Sequence, residues 1–161
     1  MPCPYLEMEY VVGGNLRQYL NQTLNSTGQP LPVDEAALKV MKLAEGLGYA
    51  HAQGCYHGDI KPENILLTEA SPQGDPKLTD WGLGRLMKGA TSFGPSRPRF
   101  TLRYATPEHF LAKSGAGKLG LETDIYQLGI VLYEMVTGSV PFTAETEEAM
   151  RELVLNQAPR R

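Results

Sequence analysis

The stretch Thr123-Asp124-Ile125-Tyr126-Gln127-Leu128-Gly129-Ile130-Val131-Leu132-Tyr133-Glu134-Met135-Val136-Thr137-Gly138 constrains the fold most. It reads as a helix apolar on nearly every face, with Thr123 or Asp124 as its cap and Gly138 at its end. Such a helix is stable in water only when other elements cover it, so the rest of the chain must build a shell around it. With 161 residues, 42% of them hydrophobic, the chain is one domain or a large piece of one and can bury a sizeable core.

Taken in order, Tyr5 to Val12 alternates apolar and polar residues like a half-buried strand, and Gly13-Gly14 ends it. Leu16 to Leu24 is helix-like, followed by a Gly/Pro-rich loop from Ser26 to Pro32. A longer helix runs from Asp34, a plausible N-cap, to Gln53, with Leu38, Met41, Ala44, Leu47 and His51 at helical spacing and Gly54 stopping it. His51 reads as a core or boundary histidine, because no Cys, His or acidic partner stands at metal spacing. A last amphipathic helix spans Ala144 to Leu155.

Net charge is −3, from 15 basic and 18 acidic residues, so no bulk attraction to nucleic acid or to an anionic membrane is implied. Cys3 and Cys55 make no disulfide framework and fit a reducing interior. No run of 18 apolar residues and no signal peptide stands in the sequence, which reads as cytoplasmic. Between Trp81 and Pro107 there is no acidic residue, while Arg85, Lys88, Arg97, Arg99 and Arg103 are basic; the reading is a solvated loop. Lys113 to Lys118 lacks the glycine and hydroxyl positions of a phosphate-binding loop.

Chemistry concentrates in His57-Gly58-Asp59-Ile60-Lys61-Pro62-Glu63-Asn64-Ile65-Leu66-Leu67. Pro62 removes a backbone donor and pushes Lys61 out of the helical region, so residues 57 to 64 form an ordered loop, and Ile65 to Leu67 fastens it to the core. By themselves a His, an Asp, a Lys and an Asn within eight residues also fit a solvated turn. The second acidic site, Asp80-Trp81-Gly82, follows the strand-like Lys77-Leu78-Thr79 and suits a bound cation.

The two segments together resemble the catalytic loop and metal-binding motif of the protein kinases. Thr101-Leu102-Arg103-Tyr104-Ala105-Thr106-Pro107-Glu108 resembles the end of their activation segment, and the helix opened by Asp124 resembles the central helix of their large lobe. By that resemblance Asp59 orients the acceptor hydroxyl and takes its proton, and Lys61 meets the γ-phosphate in the pattern of serine/threonine kinases. Asn64 and Asp80 would hold Mg2+. Thr101 would bond the catalytic Asp and Lys. Met8 would be the gatekeeper, Glu9 and Val11 would meet the adenine through their backbone, Asn15 would lie near the ribose and Leu66 beneath the purine of ATP. His57 and Trp81 would pack in the regulatory spine, and Asp124 would accept hydrogen bonds from the loop backbone.

What the resemblance implies is a serine/threonine protein kinase using ATP and Mg2+ on a protein hydroxyl. The fold is mainly α, a kinase-like C-terminal lobe with short β-hairpins and without the small lobe. Residues 1–15 would be the last small-lobe strand and hinge, and 16–161 a large lobe incomplete at its C-terminal end, inactive by itself. Glu108 would lack the buried arginine with which the family pairs it. Gly58 departs from the family, which usually has Arg there to grip a phosphorylated activation loop, so Thr91, Ser92 and Ser96 should not act through such a grip. The His-Gly-Asp and Asp-Trp-Gly triplets also resemble small-molecule phosphotransferases of the aminoglycoside and choline type. A pseudokinase or interaction module is a further alternative.

Overall fold

The computed structural model describes residues 7–81, 85–86, 101–113 and 118–159. Cys3, Tyr5, Gly82, Lys88, Thr91, Ser92, Ser96, Arg97, Arg99 and the Lys113 to Lys118 stretch from Ser114 to Gly117, which the sequence singled out, lie outside them. Among the described residues, five α-helices and four short strands follow in order: α1 Leu16–Thr27, α2 Val33–Ala52, β1 Cys55–Tyr56, β2 Ile65–Leu67, β3 Pro76–Leu78, β4 Arg85–Leu86, α3 Pro107–Lys113, α4 Leu121–Thr137 and α5 Glu147–Asn156. The strands make two antiparallel pairs, β1 with β4 and β2 with β3, so the described chain is mainly helical, as expected.

Residues 7 to 11 form no strand, contrary to the alternation of apolar and polar side chains there. A strand needs a neighbour to satisfy its ladder. Among the described residues none pairs with this segment, and Tyr10 is 87% exposed. Next, α1 runs three residues past the expected end at Leu24. Its last turn holds because Ser26 and Thr27 hydroxyls donate to the Thr23 carbonyl at 3.1 and 2.8 Å and Gly28 closes it at φ 68°. At its start Asn15 and Gln18 exchange side-chain and backbone hydrogen bonds, a capping box.

In α2 the cap is Pro32, without a side-chain hydrogen bond, and Asp34 sits inside the first turn, where its charge still complements the helix dipole. Its buried stripe is Ala36, Lys39, Leu43 and Leu47. Leu38 and Met41 instead face outward, Met41 at 60% exposure. Both stripes have helical spacing and share Leu47. The lysine in the buried one hid it from a reading that counts apolar residues.

The central helix α4 starts at Leu121, not at Thr123. Gly120 is its cap residue, and Thr123 reaches back so that its hydroxyl accepts from the Gly120 amide at 3.2 Å. Gly138 at φ 77° ends it as expected. Leu128, Ile130, Val131 and Met135 pack with Leu16, Leu43, Leu47, Ile60, Ile65 and Leu67 in one core. A second cluster joins Ala105 and Phe110 to Phe142, Met150 and Val154 of the α5 region. The α5 helix begins at Glu147, capped by the Thr146 hydroxyl, rather than at Ala144.

Candidate active site

The loop from His57 to Asn64 crosses between α4 and the β2–β3 hairpin, and its backbone is pinned from α4. Asp124, fully buried, accepts from the His57 amide at 2.8 Å and the Gly58 amide at 2.7 Å, and Gln127 Oε1 accepts from the Ile60 amide at 2.8 Å. His51 of α2 meets the same Asp124 carboxylate at 2.7 Å, so it is a half-buried boundary residue tied to the loop. The Asp59 amide donates to His57 Nδ1 at 3.2 Å, which places the ring proton on Nε2, 2.8 Å from the Thr79 carbonyl. His57 and Trp81 pack with ring centroids 4.9 Å apart and the ring planes tilted by 57°.

That scaffold turns one carboxylate into two unlike oxygens. Asp59 Oδ2 accepts from Lys61 Nζ at 2.7 Å and from Asn64 Nδ2 at 3.2 Å. Asp59 Oδ1 is buried and has no hydrogen-bond partner among the described residues. A buried carboxylate oxygen without a donor is costly, and such groups gather where a ligand supplies the proton. Lys61 also donates to Thr101 Oγ1 at 2.9 Å, bringing the segment before α3 to the loop. Asn64 spends its amide hydrogens on the Asp59 carbonyl and carboxylate, which leaves its Oδ1 as the free acceptor.

Asp80 stands exposed just beyond β3 at φ 62°, the one described non-glycine residue with positive φ. Aspartate tolerates that region better than most residues, and a side chain held there is oriented by its surroundings. The preceding Thr79 is fixed twice, by its amide to the Asn64 carbonyl at 3.0 Å and by its carbonyl to His57. No group of three His, Cys, Asp or Glu residues able to hold a metal occurs among the described residues. Mg2+ at a nucleotide site takes only one or two protein oxygens beside phosphates and water, so Asn64 with Asp80 fits its donor chemistry.

Of the residues that the resemblance assigns to the adenosine, the structure brings some together and leaves others apart. Leu66 of β2 pairs with Lys77 of β3 and bridges to Asn15. The Asn15 side chain caps α1, Met8 is exposed, Val11 is half-buried, and the Glu9 carboxylate pairs with Lys77 at 2.6 and 2.8 Å.

One cluster carries no local sequence signal, because its partners are far apart in the chain. Arg17 bonds Glu63 at 2.9 Å and Glu134 at 2.8 and 3.1 Å, and Tyr104 donates to Glu134. These bonds tie α1, the loop, the segment before α3 and α4 into one network. Burial alone would lower the guanidinium pKa, but the bonds to Glu134 and Glu63 outweigh it and hold Arg17 above its usual value. Burial raises the Tyr104 phenol, and Glu134 adds to that. Glu108 Oε2 is buried without a hydrogen-bond partner among the described residues.

His109, also buried, accepts from the Thr106 amide at 3.1 Å through Nδ1. Burial lowers its pKa against smaller raising effects of Glu108, Asp59 and a hydrogen bond to the Gly58 backbone. The unfolded chain therefore binds more protons just below the ordinary histidine value near pH 6.5. Stability from neutral His109 is complete above that value and is lost as pH falls through it. Thermal unfolding measured at about pH 7.5 and about pH 5.5 should show a lower midpoint in acid, and His109→Gln should shrink the drop. An equal drop in the variant would contradict this.

A family model described as the protein kinase domain matches residues 3–160. The chain is 34% identical over 143 residues to the serine/threonine-protein kinase PknL of Mycobacterium tuberculosis, covering 89% of this chain and 33% of PknL. To PkaA of Streptomyces coelicolor, also a serine/threonine-protein kinase, it is 34% identical over 157 residues, covering 97% of this chain and 27% of PkaA. To PknB of Mycobacterium leprae, named likewise, the identity is 32% over 146 residues, 90% of this chain and 22% of that protein. The chain thus spans about a fifth to a third of the length of the curated relatives it matches.

Proposed function

Because this chain belongs to the protein kinase family, we propose that it carries the catalytic loop of a serine/threonine protein kinase that moves the γ-phosphate of ATP to a protein hydroxyl. The observation that carries this reading is the split Asp59 carboxylate, with Oδ2 held by Lys61 and Asn64 and Oδ1 buried and unpartnered. In the proposed reaction Oδ1 accepts the proton of the acceptor hydroxyl. The acceptor oxygen forms a bond to the γ-phosphorus while the bond from that phosphorus to the β,γ-bridging oxygen breaks, leaving ADP. Lys61, positioned by Asp59 and Thr101, offsets negative charge on the transferred group. Mg2+, held by Asn64 and Asp80, would supply charge neutralisation on the phosphates.

Met8, Glu9, Val11, Asn15 and Leu66 are proposed for the adenosine side; the Gly13 amide donates to the Leu67 carbonyl and the Leu67 amide to the Gly14 carbonyl, each at 2.9 Å, which supports a hinge beside β2. Residues 1–15 are proposed as the last small-lobe segment and hinge, of which residues 7 to 11 form no strand here, and 16–161 as large lobe. The 161-residue chain alone should have little transfer activity, since the segment around Met8 and Tyr10 is exposed and forms no strand with any described residue. No described helix is long and apolar enough to cross a membrane. A cytoplasmic setting and a protein substrate are part of the proposal.

Acceptor identity tests it. The full-length gene product, incubated with γ-labelled Mg-ATP, should place label on serine or threonine of a generic protein acceptor and none on aminoglycosides or choline. Label on the small molecules alone would overturn the protein-kinase reading.

A further inference from the structure

Lys39 is a charged side chain at the centre of the buried stripe of α2, 1% exposed. Its ammonium donates to three backbone carbonyls of one loop, those of Ser71 at 3.2 Å, Pro72 at 3.1 Å and Gly74 at 2.9 Å. On its other side lie the Glu35 carboxylate at 3.8 Å and the Tyr19 ring at 5.4 Å, and the Tyr19 hydroxyl donates to Glu35 at 2.9 Å. Three inward carbonyls on one turn repel each other unless a cation gathers them, and a lone buried ammonium is costly unless such acceptors meet it. Lysine and loop therefore specify one another.

The loop in question joins β2 to β3. It continues their ladder through the Thr68 amide to the Asp75 carbonyl at 3.0 Å and the Asp75 amide to the Thr68 hydroxyl at 2.9 Å. Gly74 lets the chain pass so close that an added Cβ would lie 2.0 Å from the Glu69 carbonyl oxygen. Lys42 adds an ion pair to Asp75 from the same helix. One strand of this hairpin carries Leu66, and the other leads through the doubly bonded Thr79 into Asp80.

We propose that Lys39 is a positioning residue for the nucleotide side of the site. From α2 its ammonium fixes the β2–β3 loop, and through the hairpin it holds Leu66 and Asp80 in place. The inference rests on the reading of those two residues given above. Lys39 touches neither nucleotide nor metal; outer partners of this kind typically alter affinity by about 10- to 100-fold when removed.

The test uses the full-length gene product and compares wild type, Lys39→Met, Gly74→Ala and Asp80→Asn. Amide hydrogen exchange over residues 66–78 and calorimetric Mg-ATP affinity are read beside kcat. Lys39→Met keeps the buried length but leaves the three carbonyls unmet. Faster exchange at Thr68 and its neighbours is expected, with Mg-ATP affinity about tenfold weaker. Gly74→Ala, which forces the loop away from an intact Lys39, should shift affinity in the same direction. Unchanged Mg-ATP affinity in Lys39→Met would overturn the proposal. Should that variant fail to fold, unchanged affinity in Gly74→Ala overturns it instead. If Asp80→Asn also binds Mg-ATP like wild type, the site reading itself has failed; a loss in Asp80→Asn without one in Lys39→Met faults Lys39 alone.

Discussion

Asp59→Asn in the full-length gene product is expected to lower phosphoryl transfer by about 10²- to 10⁴-fold, the range that a positioned general base supplies. The geometry explains why so small a change should matter. Lys61 and Asn64 already occupy Oδ2, at 2.7 and 3.2 Å, so proton acceptance falls to the unpartnered Oδ1. An amide in its place either offers a carbonyl with almost no basicity or turns hydrogens toward the acceptor hydroxyl. Lys61 would lose its carboxylate partner and keep only Thr101 among the bonds described. Nucleotide affinity should stay nearly unchanged, because in the proposed reaction Asp59 acts on the acceptor and not on the nucleotide.

The second large effect falls on stability. Asp124→Ala would leave the His57 and Gly58 amides without the acceptor they meet at 2.8 and 2.7 Å inside the core. Each buried unsatisfied donor costs about 1–3 kcal/mol, so a loss of about 2–6 kcal/mol is expected. That is a large part of the roughly 5–15 kcal/mol that keeps a typical domain folded. Asp124→Asn retains one carbonyl oxygen and should fall between wild type and alanine. Urea unfolding followed by far-UV circular dichroism measures both; an alanine variant within about 0.5 kcal/mol of wild type would contradict this role.

Much of this site was legible because its residues are neighbours in sequence. Asp59, Lys61 and Asn64 lie within six positions, and Pro62 dictates the loop that turns them together. The all-round apolar pattern after Asp124 likewise announced a buried helix, although its first turn began earlier, at Leu121. Tertiary partners decided the remainder. The rotation of α2 depended on a lysine made acceptable in the core by carbonyls of residues 71 to 74, more than thirty positions away. Arg17 likewise joins Glu134 across 117 positions. Residues 7 to 11 carried a strand's pattern, and a pattern makes a strand only where another strand completes its ladder.

The central claim is a division of labour, with Asp59 serving the acceptor and Asp80 the metal-bound nucleotide. Calorimetric titration of Mg-ATP into the wild-type, Asp59→Asn and Asp80→Asn forms of the full-length gene product tests it most directly. The account predicts near wild-type affinity for Asp59→Asn and affinity weakened by at least about tenfold for Asp80→Asn. Equal loss in both variants, or loss in Asp59→Asn alone, would contradict it.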